Sequence, residues 1–162
     1  MMARVAWFVL VALFLAPSRS ATAAPEPARM TAAGAFFALS VPDLQASSKW
    51  YSEKLGLKVV VEPPKSDKTA VVVLEGDGII VELIQHDDAQ PLTKVAPKVE
   101  STILVHGVFK TGIVVQDLDQ VIALLKQRGV PIAIGPFPAQ GKQKANLIIR
   151  DNAGNLIQFV GK

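Results

Sequence analysis

Val41-Pro42-Asp43-Leu44, followed by Trp50-Tyr51 and Leu55-Gly56-Leu57, decides how this chain folds. Val115-Gln116-Asp117-Leu118 opens the same series a second time, and Asp117 follows Asp43 by 74 residues. Each copy begins where an apolar strand meets an aspartate, a residue suited to capping the first turn of a helix. Each helix-like run then ends at a glycine, Gly56 or Gly129, and strand-like segments follow. A repeat of this size predicts two βαβββ units, neither of which buries its sheet alone. Paired, they enclose a cavity.

Outward from the two aspartates, the first module reads as residues 35–86. Ala35 to Val41 is an apolar strand. Leu44, Tyr51 and Leu55 recur at helical spacing, with Gln45, Lys49 and Glu53 on the other side. Strands are expected at Leu57 to Val61, Thr69 to Glu75 and Ile79 to Gln85, the last two joined by the hairpin signal Gly76-Asp77-Gly78. Periodicity fades over the crossover, 87–107, which carries two prolines and room for a short helical piece. The second module, 108–162, repeats the order. Its strands are Val108 to Val115, Val130 to Ile134, Ala145 to Arg150 and Leu156 to Val160; Leu118, Val121, Ile122 and Leu125 form the helix stripe. The lysine-bearing turns 63–68 and 139–144 occupy matching places.

The N-terminus has a different character. Arg4 precedes an unbroken apolar run, Val5 to Ala16, closed by Pro17 and followed by Ala21-Thr22-Ala23. A basic start, a short apolar centre and an A-x-A site describe a signal peptide, 1–23. The run is too short to span a bilayer, which takes about 20 residues. Residues 24–34, with Pro25 and Pro27, read as an extended spacer. The expected location is therefore outside the cytoplasm, periplasmic or secreted, with no membrane partner after cleavage. The 162-residue chain has a formal net charge of +3, but cleavage removes Arg4 and Arg19 and leaves 15 basic against 14 acidic residues. That balance offers no basic stripe for nucleic acid. The chain has no cysteine, so it relies on its core rather than on disulfides.

Two stretches, Val41-Pro-Asp-Leu…Trp50-Tyr51…Leu55-Gly56-Leu57 and Arg150-Asp151-Asn-Ala-Gly154-Asn155-Leu-Ile-Gln158, give the chain a resemblance to the vicinal oxygen chelate superfamily. That superfamily includes glyoxalases, bleomycin-resistance proteins and extradiol dioxygenases. The resemblance spans Ala35 to Lys162 and implies an α+β fold, with two paired βαβββ modules forming a curved mixed sheet around a central cavity and helices outside. It says little about activity, because one scaffold serves many chemistries.

Strand parity places the cavity residues. If Phe37, Leu39 and Val41 pack under the helix, Phe36, Ala38 and Ser40 face inward. The same alternation turns Ile80, Glu82 and Ile84 inward, then Lys110, Gly112 and Val114, then Leu156, Gln158 and Val160. By resemblance, the metal-ligand positions of metal-dependent members fall on Phe36, Glu82, Lys110 and Gln158. Only Glu82 is a strong ligand there, Phe36 offers no donor and Lys110 repels a cation. No metal is expected in the usual manner, and no other cofactor. A divalent metal in a non-standard site involving His86 or His106 is the second possibility, although neither histidine sits in a metal-binding motif.

Two accounts of Lys110 follow. One is an internal ion pair with Glu82 that fills a lost metal site, whose disruption would cost about 3–5 kcal/mol if buried. The other is an anchor for a carbonyl or carboxylate, with Phe36, Ser40, Glu82 and Gln158 completing the binding site. The expected function is binding of a small apolar or carbonyl- or carboxylate-bearing ligand, without the usual metal, by an exported protein. The alternative is a lyase, isomerase or dioxygenase-type enzyme with Glu82 as general base. The expected partner is a small molecule, with a homodimer left open.

Overall fold

The computed structural model describes residues 36–162. The expected signal peptide, 1–23, the expected spacer, 24–34, and Ala35 lie outside the described residues. Within them, strand β1 (Phe36–Ser40) leads into α1 (Leu44–Trp50), then β2 (Lys58–Val61), β3 (Thr69–Gly76) and β4 (Ile79–His86). The crossover holds a short helix, α2 (Leu92–Val95), and a 3-10 turn at Thr102–Leu104. Then come β5 (Thr111–Val115), α3 (Leu118–Gln127), β6 (Ile132–Phe137), β7 (Asn146–Arg150) and β8 (Leu156–Gly161). The strands form two sheets of the same plan, β1-β4-β3-β2 and β5-β8-β7-β6, with the first pair parallel in each and the other pairs antiparallel. The α+β class and the paired βαβββ modules are as the repeat predicted. Among the described residues no helix is long and apolar enough to cross a membrane.

The two helices start identically. Asp43 accepts a hydrogen bond from the Ala46 amide at 2.9 Å, and Asp117 accepts one from Gln120 at the same distance. Each bond satisfies one of the amides that a helix start leaves without an intrahelical partner. The helices end differently. After Trp50 the first helix widens into a π turn, Tyr51–Leu55, before Gly56 closes it at φ 79°. Its capping glycine comes 13 residues after its aspartate, whereas Gly129 comes 12 after Asp117. The π turn accommodates that one extra residue.

The core lies between sheets and helices. Val72 and Leu74 of β3 stand opposite Leu83 and Val81 of β4, and Leu147 and Ile149 of β7 stand opposite Phe159 and Ile157 of β8. All eight side chains are buried, each stabilising the fold by roughly 1.5–3 kcal/mol. Alternation accounts for this: the residues between them on β4, Ile80, Glu82 and Ile84, are at least partly exposed. Ser47 and Ser48 are also buried on α1, where the apolar stripe predicted only Leu44, Tyr51 and Leu55. Small side chains let the helix approach closely, which a hydrophobic count does not register.

Candidate functional site

Tyr51 joins the modules. It is wholly buried on the first helix, and its hydroxyl donates to Asp151 Oδ2 at 2.9 Å, across 100 residues of sequence. Asp151 opens the β7–β8 turn and is 6% exposed. Its carboxylate also accepts from the Ala153 and Asn155 amides, at 2.9 and 2.8 Å, and from Asn155 Nδ2 at 2.8 Å. Next to it, Asn152 Nδ2 donates to Ser47 Oγ at 3.1 Å. Burial first, then the adjacent Asp151 charge and hydrogen bond, pushes the Tyr51 phenol well above its ordinary value. A phenol held this firmly in its protonated form, out of reach of solvent, serves packing rather than proton transfer. The Arg150–Gln158 motif is thus in large part a docking turn for the first helix.

The residues expected around one central hollow are not gathered into one. Phe36 is 64% exposed and lines a cleft of about 880 Å³ that runs along the edge strands β1 and β5 beneath α3. Lys110 and Gln158 line a second, shallower hollow of about 470 Å³, made entirely of second-module residues. Ser40 is exposed and Glu82 half-buried on the first sheet, and neither lines either hollow.

The expected Glu82–Lys110 ion pair is not formed: the ion pairs among the described residues are Lys49–Glu53, Lys65–Asp87 and Lys68–Asp88. The cause is topological. Glu82 sits opposite Ala38 on the first sheet, whereas Lys110 immediately precedes β5 on the second, its ammonium 5.9 Å from the centre of the Phe109 ring. Glu82 lines neither of the two hollows.

The second hollow has a chemistry of its own. Lys110 and Lys144 bring two ammonium groups to its rim, and Phe137, Ile148 and Val160 give it apolar walls. Gln158 Nε2 donates to Asn146 Oδ1 at 2.9 Å, and Asn146 Nδ2 donates to the Lys144 carbonyl at 3.0 Å. Asn146 is buried and was missed from the sequence, although β7 alternation puts it on the same face as Ile148. Of the four lysines in the two hairpin turns, Lys65 and Lys68 are engaged at 2.7 Å by Asp87 and Asp88, so they hold their own turn against the end of β4. The Lys65 hydrogen bond, more than any other influence, draws the Asp87 carboxyl below its ordinary value.

The residues at the family's ligand positions do not fit a divalent metal. Phe36 has no donor atom and Lys110 carries a positive charge, which leaves only Glu82 and Gln158 as donors among the four. Among the described residues no three histidine, aspartate or glutamate side chains are placed to share an ion. His86 is exposed, and its Nδ1 accepts a hydrogen bond from the Asp88 amide at 3.1 Å. His106 is exposed in the crossover.

The fold has well-matched counterparts. A glyoxylase/bleomycin resistance protein/dioxygenase domain from Frankia sp. EAN1pec is similar at a TM-score of 0.62 and 19% identity, over 83% of this chain and 94% of that one. TnmS3, an antibiotic binding protein from Streptomyces sp. CB03234, is similar at 0.56 and 17%, over 83% and 98%. A point mutant of glyoxalase I from Zea mays is similar at 0.55 and 20%, over 78% of this chain and 44% of that one. At such identities the likeness concerns the fold alone. No curated protein shows a significant sequence match. The family profile, however, matches residues 35–159, nearly all of both modules, and with the paired βαβββ architecture it leads to one conclusion: the chain belongs to the Glyoxalase/Bleomycin resistance protein/Dioxygenase superfamily.

Proposed function

We propose that this chain is an exported binding protein of the superfamily, which holds a small, largely apolar molecule by a carbonyl or carboxylate group without the metal that metal-dependent relatives use. The composition of the second hollow carries the proposal: two lysines and three carboxamides, no carboxylate, and apolar walls around them. An anion or strongly polarised carbonyl is the natural complement of Lys110, and Gln158 and Asn146 present amide groups beside it. The antibiotic-binding relative, TnmS3, supports a binding role for this scaffold. The basic start, apolar run and A-x-A site of residues 1–23 support export.

A homodimer belongs to the same proposal. Phe36, Ile80, Val114 and Phe137, on strands of both sheets, all stay at least 40% exposed in the single chain, and a second copy would cover them. A second copy packed over these faces would deepen the shallow hollow and bring a first-sheet face, with its Glu82, towards it.

The test is a thermal-shift screen of chelator-treated protein against aromatic and aliphatic carboxylates, their neutral amides and carbonyl compounds. Bound ligands raise the melting temperature by mass action. The expected result is stabilisation by carboxylates, weaker stabilisation by the amides, and loss of both in Lys110→Met. No stabilisation anywhere in the set, or stabilisation that appears only when a metal is restored, would overturn the proposal. Sedimentation analysis of the same samples reports whether two copies associate.

A further inference from the structure

We infer that the larger cleft, between α3 and the β3–β4 hairpin, is a second binding site for a small aromatic molecule carrying a hydroxyl group, separate from the Lys110 hollow. The likeness of the two modules supplies the template. Lys54 and Arg128, 74 residues apart, exchange hydrogen bonds between the modules, so the contacts on either side of them are approximate mates. On one side, Trp50 and Tyr51 pack edge to face, their ring centres 5.1 Å apart, and the Tyr51 hydroxyl reaches Asp151 in the turn opposite.

Moving by 74 residues converts Trp50 into Leu124, Tyr51 into Leu125 and Asp151 into Asp77. All three line the cleft. Two aromatic rings are thus replaced by two leucines. The turn opposite also shrinks from the five residues 151–155 to the pair Asp77-Gly78 between the paired strand ends Gly76 and Ile79. The volume that aromatic side chains fill on one side is open on the other. Leu124 is 36% exposed, and Asp77 makes no side-chain hydrogen bond with another described residue.

A ligand that restores the missing contact has the chemistry of the Tyr51 side chain. Its apolar ring would lie against Phe37, Val121 and Leu124, and its hydroxyl would donate to the Asp77 carboxylate. The lining carries two carboxylates, Asp77 and Asp117, and two cations, Lys54 and Arg128, each of the latter bonded to the other's backbone carbonyl, which leaves Asp77 as the acceptor for a hydroxyl. No residue is shared with the Lys110 hollow, so the two sites are distinguishable by the residues that report binding.

The experiment is an NMR titration of the full chain with p-cresol, the tyrosine side-chain analogue, and with toluene as its hydroxyl-free counterpart. Saturable shifts are expected at Val121, Leu124 and the Asp77-Gly78 turn. Leu124→Trp, which puts the mate of Trp50 into the cleft, should abolish them. Asp77→Asn should weaken p-cresol about threefold to tenfold, the range for partial loss of a charge-assisted hydrogen bond, and leave toluene unchanged. Lys110→Met should leave both titrations unchanged. Absence of saturable shifts at these residues, or shifts that persist in a folded Leu124→Trp protein, overturns the inference. If Leu124→Trp does not fold, equal p-cresol affinity in Asp77→Asn and the parent overturns it.

Discussion

Lys54 and Arg128 each donate a hydrogen bond to the other's backbone carbonyl, Lys54 Nζ to the Arg128 oxygen at 2.7 Å and Arg128 Nη1 to the Lys54 oxygen at 3.0 Å. The two residues hold equivalent places at the ends of the first helix and α3, and both are half-buried. A single exchange of this kind satisfies a terminal carbonyl on each helix and fixes the relative position of the modules.

Lys54→Met and Arg128→Met should each lower stability by about 1–2 kcal/mol, the range for a partly buried hydrogen bond with a charged donor. Because each side chain bonds to the partner's backbone, the double variant should lose close to the sum. Urea denaturation of the four proteins measures it, and a double variant no worse than either single one would show that the contacts do not act separately.

Tyr51→Phe keeps the ring and removes one donor from a buried carboxylate, so a loss of about 1.5–3 kcal/mol is expected. Asp151→Ala should cost more, since it leaves two backbone amides, the Tyr51 hydroxyl and the Asn155 amide without their acceptor. Equal unfolding midpoints for Tyr51→Phe and the parent would mean that the hydroxyl contributes nothing to module docking.

The same phenol sets an alkaline limit. Its value is raised in the folded protein, so the folded state resists ionisation that the unfolded chain undergoes near pH 10. Its contribution is fully present below that pH and falls as the pH rises above it, by at most about 1.4 kcal/mol per pH unit. The difference in melting temperature between the parent and Tyr51→Phe should therefore narrow between pH 9 and pH 11, roughly the window around that reference value. A difference that stays constant over the window would contradict the assignment.

Gly56 holds φ at 79°, in the left-handed region, where the π turn closes. A β-carbon there would meet the Arg128 guanidinium nitrogens at 3.6 and 3.7 Å, which is ordinary contact. The cost of Gly56→Ala is thus conformational, about 1–2 kcal/mol, and the Lys54–Arg128 exchange should survive. If combining Gly56→Ala with Arg128→Met relieved the cost, crowding would be its cause instead.

Much of the architecture was legible in the chain. The repeated aspartates marked both helix starts, the glycines both helix ends, and alternation told Val81 and Leu83 from Ile80, Glu82 and Ile84. Strand ends shifted by one to three residues, as where β5 begins at Thr111 rather than Val108. The residues before it, rich in apolar side chains, continue the pattern of a strand without a neighbouring strand to pair with. The π turn was not legible, because Tyr51 and Leu55 suit an ordinary helix equally well, and only the one-residue mismatch between the two cap spacings betrays it.

The sequence by itself determined the number of modules, their element order and which residues of β4 and β5 are buried, because side-chain periodicity acts within a few residues along the backbone. Only the tertiary structure decided which faces meet. It put Tyr51 on Asp151 and Lys54 against Arg128, and it left Glu82 and Lys110 without the expected ion pair. Those outcomes depend on how two near-equivalent modules dock, and docking is set by side-chain volumes and turn lengths that match across the interface: two aromatic rings and a five-residue turn on one side, two leucines and a two-residue turn on the other.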